Sequence, residues 1–501
     1  MSLEAYFAPF RQQIVGIDQS FEGPYGPERI VYADWTASGR MYGPIEDVIR
    51  QQFLPFVANT HTETSETGAT MTLAYHHALR RIKAHVNAGP EHALFGYGTG
   101  MTGVVNKLQR ILGLRVHERY RDLALRPPAE RPVVFVSHME HHSNQTSWLE
   151  TLADVRVIDA DANGLPDLGA LDALLAEHRA RPLLIASVTS CSNVTGLMTP
   201  YHDIAERMHR AGGLCFVDFA ASAPYIDIDV RPANRPDAGL DAIFFSPHKF
   251  LGGPGTPGIL VMDRRLYTNR VPDNPGGGTV DWTNPWGEHK YIDDIEARED
   301  GGTPGFLQAI RAALAIELKD AMGTERMLAR ERELLEILWP GLRAIPGLHM
   351  LADAHPHRLG VLSFYLDDVH YNLAVRLLND RFGIQCRGGC SCAGTYGHYL
   401  LSVTREHSRA ITCNIDAGDL SEKPGWVRVS IHPTTTDDEA RQIVHAVAQV
   451  AEHHRLWARD YTYDPHTNEF VHPTDAARRG TRVESWFDAL RRAPTGSVPR
   501  P

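Results

Sequence analysis

Seven short apolar runs, separated by longer stretches with helical spacing of apolar residues, constrain the fold of this chain more than any other feature. Short strands that alternate with helices are typical of a largely parallel sheet with helices on both faces. The runs lie at about 93–97, 132–137, 154–159, 182–189, 214–218, 241–246 and 258–262. We therefore expect an α/β protein whose ligand chemistry lies at the carboxyl ends of the strands.

One lysine stands where such chemistry is expected, at the end of an apolar run and before a glycine turn. Lys249 follows the run 242–245 and precedes the Gly-Gly-Pro-Gly segment 252–255. A partly desolvated lysine at a strand end has a lowered ammonium pKa, and its free amine can form an imine with an aldehyde. Most lysines are simply exposed on the surface, so this interpretation depends on the neighbouring strand ends.

Polar residues at two of those strand ends suit an aldehyde cofactor. Asp218 closes the run 214–218, and a carboxylate there can hold a pyridinium nitrogen protonated. Asn193 follows the run 182–189 and is placed to reach the phenolic oxygen of the same ring. An aspartate together with an imine-forming lysine is the minimum protein equipment for pyridoxal phosphate, which we therefore expect as the cofactor.

Two further loops complete the expected site. The glycine-rich segment 95–103 precedes a helical stretch, and its backbone amides with Thr102 form a candidate phosphate cradle. This segment matches neither the dinucleotide fingerprint nor the nucleoside-triphosphate loop. The segment 137–144 supplies imidazoles, one of which can lie flat on a planar ring. The spacing of these histidines differs from the His-Glu-x-x-His pattern, so they do not indicate a zinc site.

The order of these motifs resembles that of the class V aminotransferases, which are pyridoxal-phosphate enzymes of fold type I. Within that family it resembles the branch of the cysteine desulfurases and selenocysteine lyases. The resemblance covers roughly residues 30–450. It implies an α/β transferase fold with a seven-stranded, mostly parallel sheet and a smaller α+β domain. It also implies an enzyme, a sulfurtransferase or lyase, with pyridoxal 5′-phosphate as the cofactor.

The resemblance assigns a role to each motif. Lys249 resembles the Schiff-base lysine, Asp218 the partner of the ring nitrogen, and His141 the stacking histidine. Asn193 resembles the asparagine near the phenolic oxygen. The implied phosphate contacts are Thr102, Ser246 and His248, and Met101 is a further expected cofactor contact. Thr303 lies in a turn similar to the family's Gly-Thr-Pro turn, which delivers a threonine to the phosphate of the neighbouring subunit, and it therefore implies a homodimer.

A cysteine-rich segment, 385–394, lies where desulfurases carry a nucleophilic cysteine, and matching Cys-Ala to the family's Cys-Ala selects Cys392. The neighbouring Arg387 favours a thiolate, which is the attacking species. Whether Cys390 or Cys392 faces the cofactor stays open. Plain burial and a metal or iron–sulfur site are the competing interpretations of Cys386, Cys390, Cys392 and Cys413. Because the Cys-x3-Cys-x-Cys spacing is neither zinc-finger nor ferredoxin-like, we expect no metal.

Arg428 resembles the arginine that grips the carboxylate of an amino-acid substrate, a task for which a guanidinium offers two parallel hydrogen bonds. The other implied substrate contacts are Arg387, Thr36 and His61. One departure concerns the cofactor ring, because Ala221 stands where the family usually carries a glutamine or histidine.

The resemblance implies that the enzyme removes sulfur from L-cysteine, leaving alanine and a persulfide on Cys392. An aminotransferase, an epimerase or a β-eliminating carbon–sulfur lyase acting on another amino acid would use the same lysine. From a different class, the chain would be a pyridoxal-phosphate-binding or sulfur-carrying scaffold without turnover. The expected partners are a small amino acid, a second copy of the chain and a sulfur-acceptor protein.

Composition and charge argue against several other classes. The 501 residues, 43% of them hydrophobic, suffice for a large and a smaller domain. A net charge of −11 without a basic stripe argues against a nucleic-acid binder. Six cysteines in so long a chain indicate a reducing compartment. Without a signal-like N-terminus or a long apolar run, we expect a cytoplasmic protein that does not bind membranes.

The expected organisation has four segments. They are an N-terminal arm at 1–40 that packs on the small domain, a large cofactor-binding domain at 41–320, a small α+β domain at 321–460 that carries the cysteine loop and the substrate arginine, and a C-terminal extension at 461–501. Apolar spacing predicts a connecting helix over 307–342. A long loop is expected over 276–300, and a further helix at about 484–492.

Overall fold

The computed structural model of the protein describes residues 1–60 and 63–492. Within them the α-helices are α1 Leu3–Gln12, α2 Gly43–Val48, α3 Glu66–His85, α4 Gly100–Ile111, α5 Arg121–Ala124, α6 His142–Leu149, α7 Leu168–His178, α8 Tyr201–Arg210, α9 Ile295–Glu299, α10 Phe306–Met322, α11 Thr324–Arg343, α12 Tyr371–Phe382, α13 Gly394–Leu400, α14 Arg405–Asp416, α15 Asp437–Trp457 and α16 Asp475–Arg492. None of these helices is both long and apolar enough to cross a bilayer.

The strands of the same residues form one large sheet, one smaller sheet and several two-stranded pairs. They are β1 Ser20–Gly23, β2 Gly26–Arg29, β3 Val31–Tyr32, β4 His92–Tyr97, β5 Val133–Ser137, β6 Asp154–Ile158, β7 Leu184–Thr189, β8 Leu214–Asp218, β9 Ala242–Phe245, β10 Gly258–Asp263, β11 Val280–Thr283, β12 His289–Tyr291, β13 Leu348–Met350, β14 Val361–Leu366, β15 Ile384–Gln385, β16 Arg387–Gly389, β17 Trp426–Ser430, β18 Thr462–Asp464 and β19 Glu469–Val471.

The large sheet has seven strands in the order β4-β10-β9-β8-β7-β5-β6. Strands β9, β8, β7, β5 and β6 run parallel to one another, and β10 is antiparallel to both β4 and β9. All seven apolar runs of the sequence are strands of this sheet, so the expected seven-stranded, mostly parallel sheet is confirmed.

Helices cover both faces of this sheet. Alternate residues of each strand point to opposite faces, so each strand contributes to two buried clusters. Val133 and Phe135 of β5 belong to one buried cluster, which also contains α8 residues, and Val134 and Val136 belong to a second, which contains α4 residues. Since both faces are buried, the strands are continuously apolar rather than alternating. This explains why they are so easily recognised in the sequence.

The smaller sheet is antiparallel in the order β13-β14-β17-β16 and packs with α11, α12 and α15 around a separate apolar cluster. The N-terminal segment contacts this unit, because β3 pairs with β15 and Val31 and Ala33 belong to the same cluster. The contact agrees with the expected arm, although the boundaries 1–40, 41–320, 321–460 and 461–501 remain a prediction.

Three local expectations are corrected by the structure. The helix expected over 307–342 is two helices, α10 and α11, because Gly323 between them has a φ of +78° that no helix can continue. The expected loop over 276–300 contains the hairpin β11–β12 and the short helix α9. The C-terminal helix α16 begins at Asp475 rather than near 484, and residues 493–501 lie outside the described residues.

Replacing Gly323 with alanine should destabilise the protein without affecting the active site. A side chain at φ +78° is strained by about 1–3 kcal/mol, although an added Cβ would contact nothing closer than 3.8 Å. The measurement is the urea midpoint of the cofactor-loaded protein. Gly277→Ala, at an exposed position with open space around it, is the control and should leave the midpoint unchanged. If Gly323→Ala and Gly277→Ala had the same urea midpoint, the backbone at position 323 would not be strained by a side chain.

Candidate active site

A cavity of about 200 Å³ lies at the carboxyl ends of the central strands of the large sheet. All but two of the site residues expected from the sequence line it. They are Thr36, Met101, Thr102, His141, Asn193, Asp218, Ser246, His248, Lys249, Arg387, Cys392 and Arg428. Thr303 does not line this cavity, and His61 lies outside the described residues.

Lys249 and Asp218 come from adjacent strands. Lys249 ends a 3-10 turn directly after β9, and Asp218 is the last residue of β8, level with Phe244 of β9. Burial lowers the pKa of Lys249 to about 8, with the charge of Asp218 opposing this shift. Burial also raises the pKa of Asp218 to about 6, opposed by the backbone N–H of Ala220, which donates to Asp218 at 2.8 Å. Near pH 7.5 the site thus holds a carboxylate beside an unusually acidic ammonium.

The start of α4 forms an anion cradle. Met101 donates its backbone N–H to Ser246 Oγ at 2.8 Å, and the Thr102 and Ser143 hydroxyl oxygens lie 2.6 Å apart. Gly100 has a φ of +59°, and a Cβ there would lie 2.9 Å from Ser246 Oγ. A glycine is therefore required for these groups to converge, and the start of a twelve-residue helix suits a phosphate.

Two histidines of the cavity are neutral at physiological pH. Burial and the charge of Lys249 lower the pKa of His141 to about 3, and the same two causes lower that of His248 to about 4. His141 caps α6, because its Nδ1 accepts the backbone N–H of Ser143 at 3.1 Å. This bond orients the imidazole, which as an uncharged ring can stack on a planar ligand.

The two candidate cysteines face different surroundings. Cys392 is exposed and lines the cavity. Cys390 is half-buried and packs against the apolar cluster that contains Met139, Val194 and Trp426. Of the two, Cys392 is therefore the cysteine that shares a cavity with Lys249.

Loops of the large sheet hold the cysteine loop in place. Ser391 and Cys392 have φ values of +52° and +56°. The Asn193 side-chain amide donates to the Ser391 carbonyl at 2.7 Å, and the backbone N–H of His142 donates to the Cys392 carbonyl at 2.7 Å. The backbone N–H of Gly394 donates to His142 Nε2 at 2.9 Å. These contacts keep an otherwise strained turn against the cavity.

Arg428 is 2% exposed. Its guanidinium forms an ion pair with Asp34, a residue that the sequence analysis did not identify. Its Nη2 donates to Asp34 Oδ1 at 2.8 Å, and its Nη1 donates to the Asn193 carbonyl at 3.0 Å. Asp34 Oδ2 accepts from Arg387 Nε at 3.2 Å. Within residues 1–60 and 63–492, Arg428 Nε and the buried Thr36 hydroxyl have no hydrogen-bond partner. Both atoms belong to residues that line the cavity.

Sequence reasoning missed three residues of this site, namely Asp34, His142 and Ser143. Asp34 follows a short strand, but no local motif marks it as the counter-charge of an arginine 394 positions away. His142 and Ser143 adjoin the expected His141, and the polar run 140–144 was the available signal. Their roles depend on contacts with the cysteine loop and with α4, which the local pattern does not contain.

Thr303 is exposed and lines a neighbouring cleft together with Gly98, Gly100 and His248. Its expected contact with the phosphate of a second subunit remains a prediction. Among the described residues, no three His, Cys, Asp or Glu side chains converge as metal ligands. Cys386 lines a separate cleft beside Asp34, and Cys413 is exposed on α14.

An α/β fold that places a lysine of lowered pKa beside a carboxylate and an anion-binding helix start defines the class of pyridoxal-phosphate enzymes of fold type I. The chain belongs to the Aminotransferase class-V family, whose family model matches residues 31–443.

Curated relatives carry a common name. A cysteine desulfurase of Synechococcus elongatus is 30% identical over 369 residues, which make up 73% of this chain and 55% of that protein. A cysteine desulfurase of Haloferax volcanii is 27% identical in an alignment of 428 positions that covers 82% of this chain and 94% of that protein. The match thus spans about half of the longer relative and nearly all of the shorter one.

Solved structures share the fold. The apo cysteine desulfurase from Thermococcus onnurineus NA1 matches with a TM-score of 0.70 and 20% identity over 89% of this chain and 98% of that one. The cysteine desulfurase CsdA from Escherichia coli, in its S-sulfonic acid form, matches with a TM-score of 0.69 and 23% identity over the same shares.

Pyridoxal phosphate is the cofactor of this family, and the residues present fit it. The α4 amides and the hydroxyls of Ser246 and Thr102 suit its phosphate, and the carboxylate of Asp218 suits its ring nitrogen. The neutral imidazole of His141 suits its ring face. Asn193 lines the cavity, but its amide donates to the cysteine loop.

Uptake of pyridoxal phosphate by the apo-protein should accelerate as the pH rises to about 8 and then level off. The unprotonated Lys249 amine is the reacting group, and burial lowers its pKa to about 8 from a usual value of 10.5. Stopped-flow absorbance of the bound cofactor measures the rate. In Arg387→Gln the midpoint should move to higher pH, since the charge of Arg387 helps to lower this pKa. A wild-type midpoint near 10 would refute the burial effect.

Proposed function

We propose that this protein is a pyridoxal-phosphate-dependent cysteine desulfurase that converts L-cysteine to alanine and leaves the sulfur as a persulfide on Cys392. One observation carries the proposal, namely that Cys392 lines the same cavity as Lys249 and Arg428. The relatives and structural neighbours named cysteine desulfurases support it. A transaminase needs no thiol in this position, whereas a desulfurase requires one as the nucleophile.

When bound, pyridoxal phosphate withdraws electrons from the α-carbon of the amino acid and so acidifies its proton. The Lys249 amine removes that proton, a task for which a pKa of about 8 is well matched near neutral pH. Asp218 holds a proton on the ring nitrogen through its carboxylate. Thr102, Ser246 and His248 hold the phosphate.

The substrate carboxylate binds beside Arg428. Its Nε and the Thr36 hydroxyl supply donors that have no partner within the described residues, while Asp34 and the Asn193 carbonyl hold the guanidinium in position. Fixing the guanidinium in advance lowers the entropy that is lost when the substrate binds.

The thiolate of Cys392 then attacks the substrate sulfur. A sulfur–sulfur bond forms at Cys392 Sγ while the substrate carbon–sulfur bond breaks, and its electron pair stays on the substrate β-carbon. That carbon is later protonated, which yields alanine. The persulfide passes to an acceptor thiol, and the exposure of Cys392 suits access by a sulfur-acceptor protein.

The proposal includes the assembly of the enzyme. Thr303 reaches the phosphate of a second copy, so the working unit is a homodimer. The large domain at 41–320 binds the cofactor, and the small domain at 321–460 brings the thiol and Arg428. Reactive thiols of this kind require a reducing compartment, in agreement with a cytoplasmic location.

Cys392→Ser should abolish the release of alanine from L-cysteine while leaving the visible absorbance of the bound cofactor unchanged. The hydroxyl cannot accept the sulfur, but it fits the same strained turn. Amino-acid analysis measures alanine, and peptide mass spectrometry should find one added sulfur on the cysteine-loop peptide of the wild type only. Cys390→Ser is the matched control and should retain activity, because Cys390 packs in the apolar cluster.

The products distinguish the alternatives. Pyruvate and ammonia would indicate β-elimination, and a keto acid with loss of the cofactor absorbance would indicate transamination. Continued alanine release from Cys392→Ser would exclude the persulfide role. If borohydride failed to fix a pyridoxyl group on Lys249, the cofactor assignment itself would be wrong.

Arg428→Lys should raise the KM for L-cysteine about 10- to 100-fold with a smaller change in kcat, the effect of losing one charge-assisted hydrogen bond. Lysine keeps the charge that Asp34 requires but cannot donate along two parallel directions. Steady-state kinetics measures both constants. Arg441→Lys, an exposed position on α15, is the control. An unchanged KM would exclude Arg428 from substrate binding.

A further inference from the structure

The start of α6, a helix that packs on the large sheet, is held by a buried polar network. Glu140, in the turn before α6, is 1% exposed. It accepts from the Ser137 hydroxyl at 2.5 Å, from the Thr189 backbone N–H at 2.9 Å and from the Asn144 side-chain amide at 2.7 Å. The Asn144 amide also donates to the Ser187 carbonyl at 3.1 Å. Because satisfied buried networks are rigid, the start of α6 is fixed relative to β5 and β7.

Two hydrogen bonds join the first residue of α6 to the cysteine loop. The backbone N–H of His142 donates to the Cys392 carbonyl at 2.7 Å, and the backbone N–H of Gly394 donates to His142 Nε2 at 2.9 Å. His142 therefore binds the loop on both sides of Ala393, which is fully buried. We call this pair of hydrogen bonds the His142 clasp.

The side chain of His142 caps α13, although it belongs to a different helix. Gly394 is the first residue of α13, and the N–H of a first helical residue has no acceptor within its own helix. Ala393, at the N-cap position, has no side-chain oxygen that could accept it. A Cβ at position 394 would lie 3.1 Å from His142 Nε2, closer than ordinary van der Waals contact, so a glycine allows the two groups to approach. The imidazole thus supplies the cap that the local sequence lacks.

This contact requires a neutral imidazole in one tautomer. Because Nε2 of His142 accepts the Gly394 N–H, the proton of the neutral ring is on Nδ1. Burial lowers the pKa of His142, and the charge of Lys423 lowers it further. An imidazolium carries N–H groups on both ring nitrogens and so cannot accept a hydrogen bond. The environment of His142 therefore favours the form that makes the clasp.

We propose that His142 is a positioning residue for the nucleophile, because its clasp holds Cys392 at the cavity in the orientation that lets the thiol reach the sulfur of a bound substrate. This inference rests on the proposed function, in which Cys392 attacks that sulfur. Ser391 and Cys392 have φ values of +52° and +56°, a backbone conformation that persists only where surrounding contacts hold it. His141, the residue before the clasp, lines the cavity. One turn of the chain thus positions both the ring-stacking imidazole and the thiol.

In the cofactor-loaded enzyme, His142→Leu should lower kcat for alanine release about 10- to 100-fold, the effect expected from a displacement of about 1 Å. The absorbance change that follows mixing with L-cysteine should keep its wild-type rate and concentration dependence, since Lys249 and Arg428 are unchanged. Stopped-flow absorbance and amino-acid analysis measure the two effects. His142→Gln should restore most of kcat, because its side-chain oxygen can accept the Gly394 N–H. His407→Leu, an exposed position on α14, is the control and should match the wild type.

Amide hydrogen exchange tests the clasp independently of activity. The Gly394 amide should exchange about tenfold faster in His142→Leu than in the wild type, the effect of losing one hydrogen bond, and His142→Gln should restore its protection. Mass spectrometry of overlapping peptides from the cysteine loop measures the rates.

Three results would overturn the proposal. Equal exchange in the wild type and His142→Leu would exclude the clasp. Faster exchange with unchanged kcat, or kcat lowered equally by leucine and glutamine, would exclude the positioning role. If the wild type released no alanine, the desulfurase function would fail and the positioning role with it, whereas the exchange rates would still show whether the clasp exists.

Discussion

The parallel pairing of β7, β8 and β9 places Thr189, Asp218 and Phe244 at one level, and every contact of the catalytic cavity depends on that register. Residues alternate between the two faces of a sheet, so a slip by one position would turn Asp218 away from Lys249. The register is maintained because both faces of the sheet are buried by helices. Packing far from the site thus determines which groups meet in it.

Burial of these groups then sets their protonation states. The same desolvation lowers the pKa of Lys249, raises that of Asp218 and keeps His141 neutral. Each shift disfavours the charged form of its group, and the charges that remain are compensated in pairs. Arg428 is an example, because the carboxylate of Asp34 permits a guanidinium to be 2% exposed beside the cavity.

The cavity also depends on contact between the two sheets. The cysteine loop follows β16 of the smaller sheet, but Asn193 and His142 from loops of the larger sheet bind the carbonyls of Ser391 and Cys392. The Asn193 amide, which is expected near the cofactor ring, thus also contacts the cysteine loop. Ala221, which lines the same cavity, adds no hydrogen bond to that ring.

The sequence by itself determined the seven strands and the residues at their carboxyl ends, because apolar runs and the polar residues that follow them are local patterns. Only the tertiary structure decided that Asp34 pairs with Arg428, and that Cys392 rather than Cys390 lines the cavity. These facts depend on which distant segments of the chain come together. A local sequence pattern does not show which segments exclude solvent from one another or pair their charges.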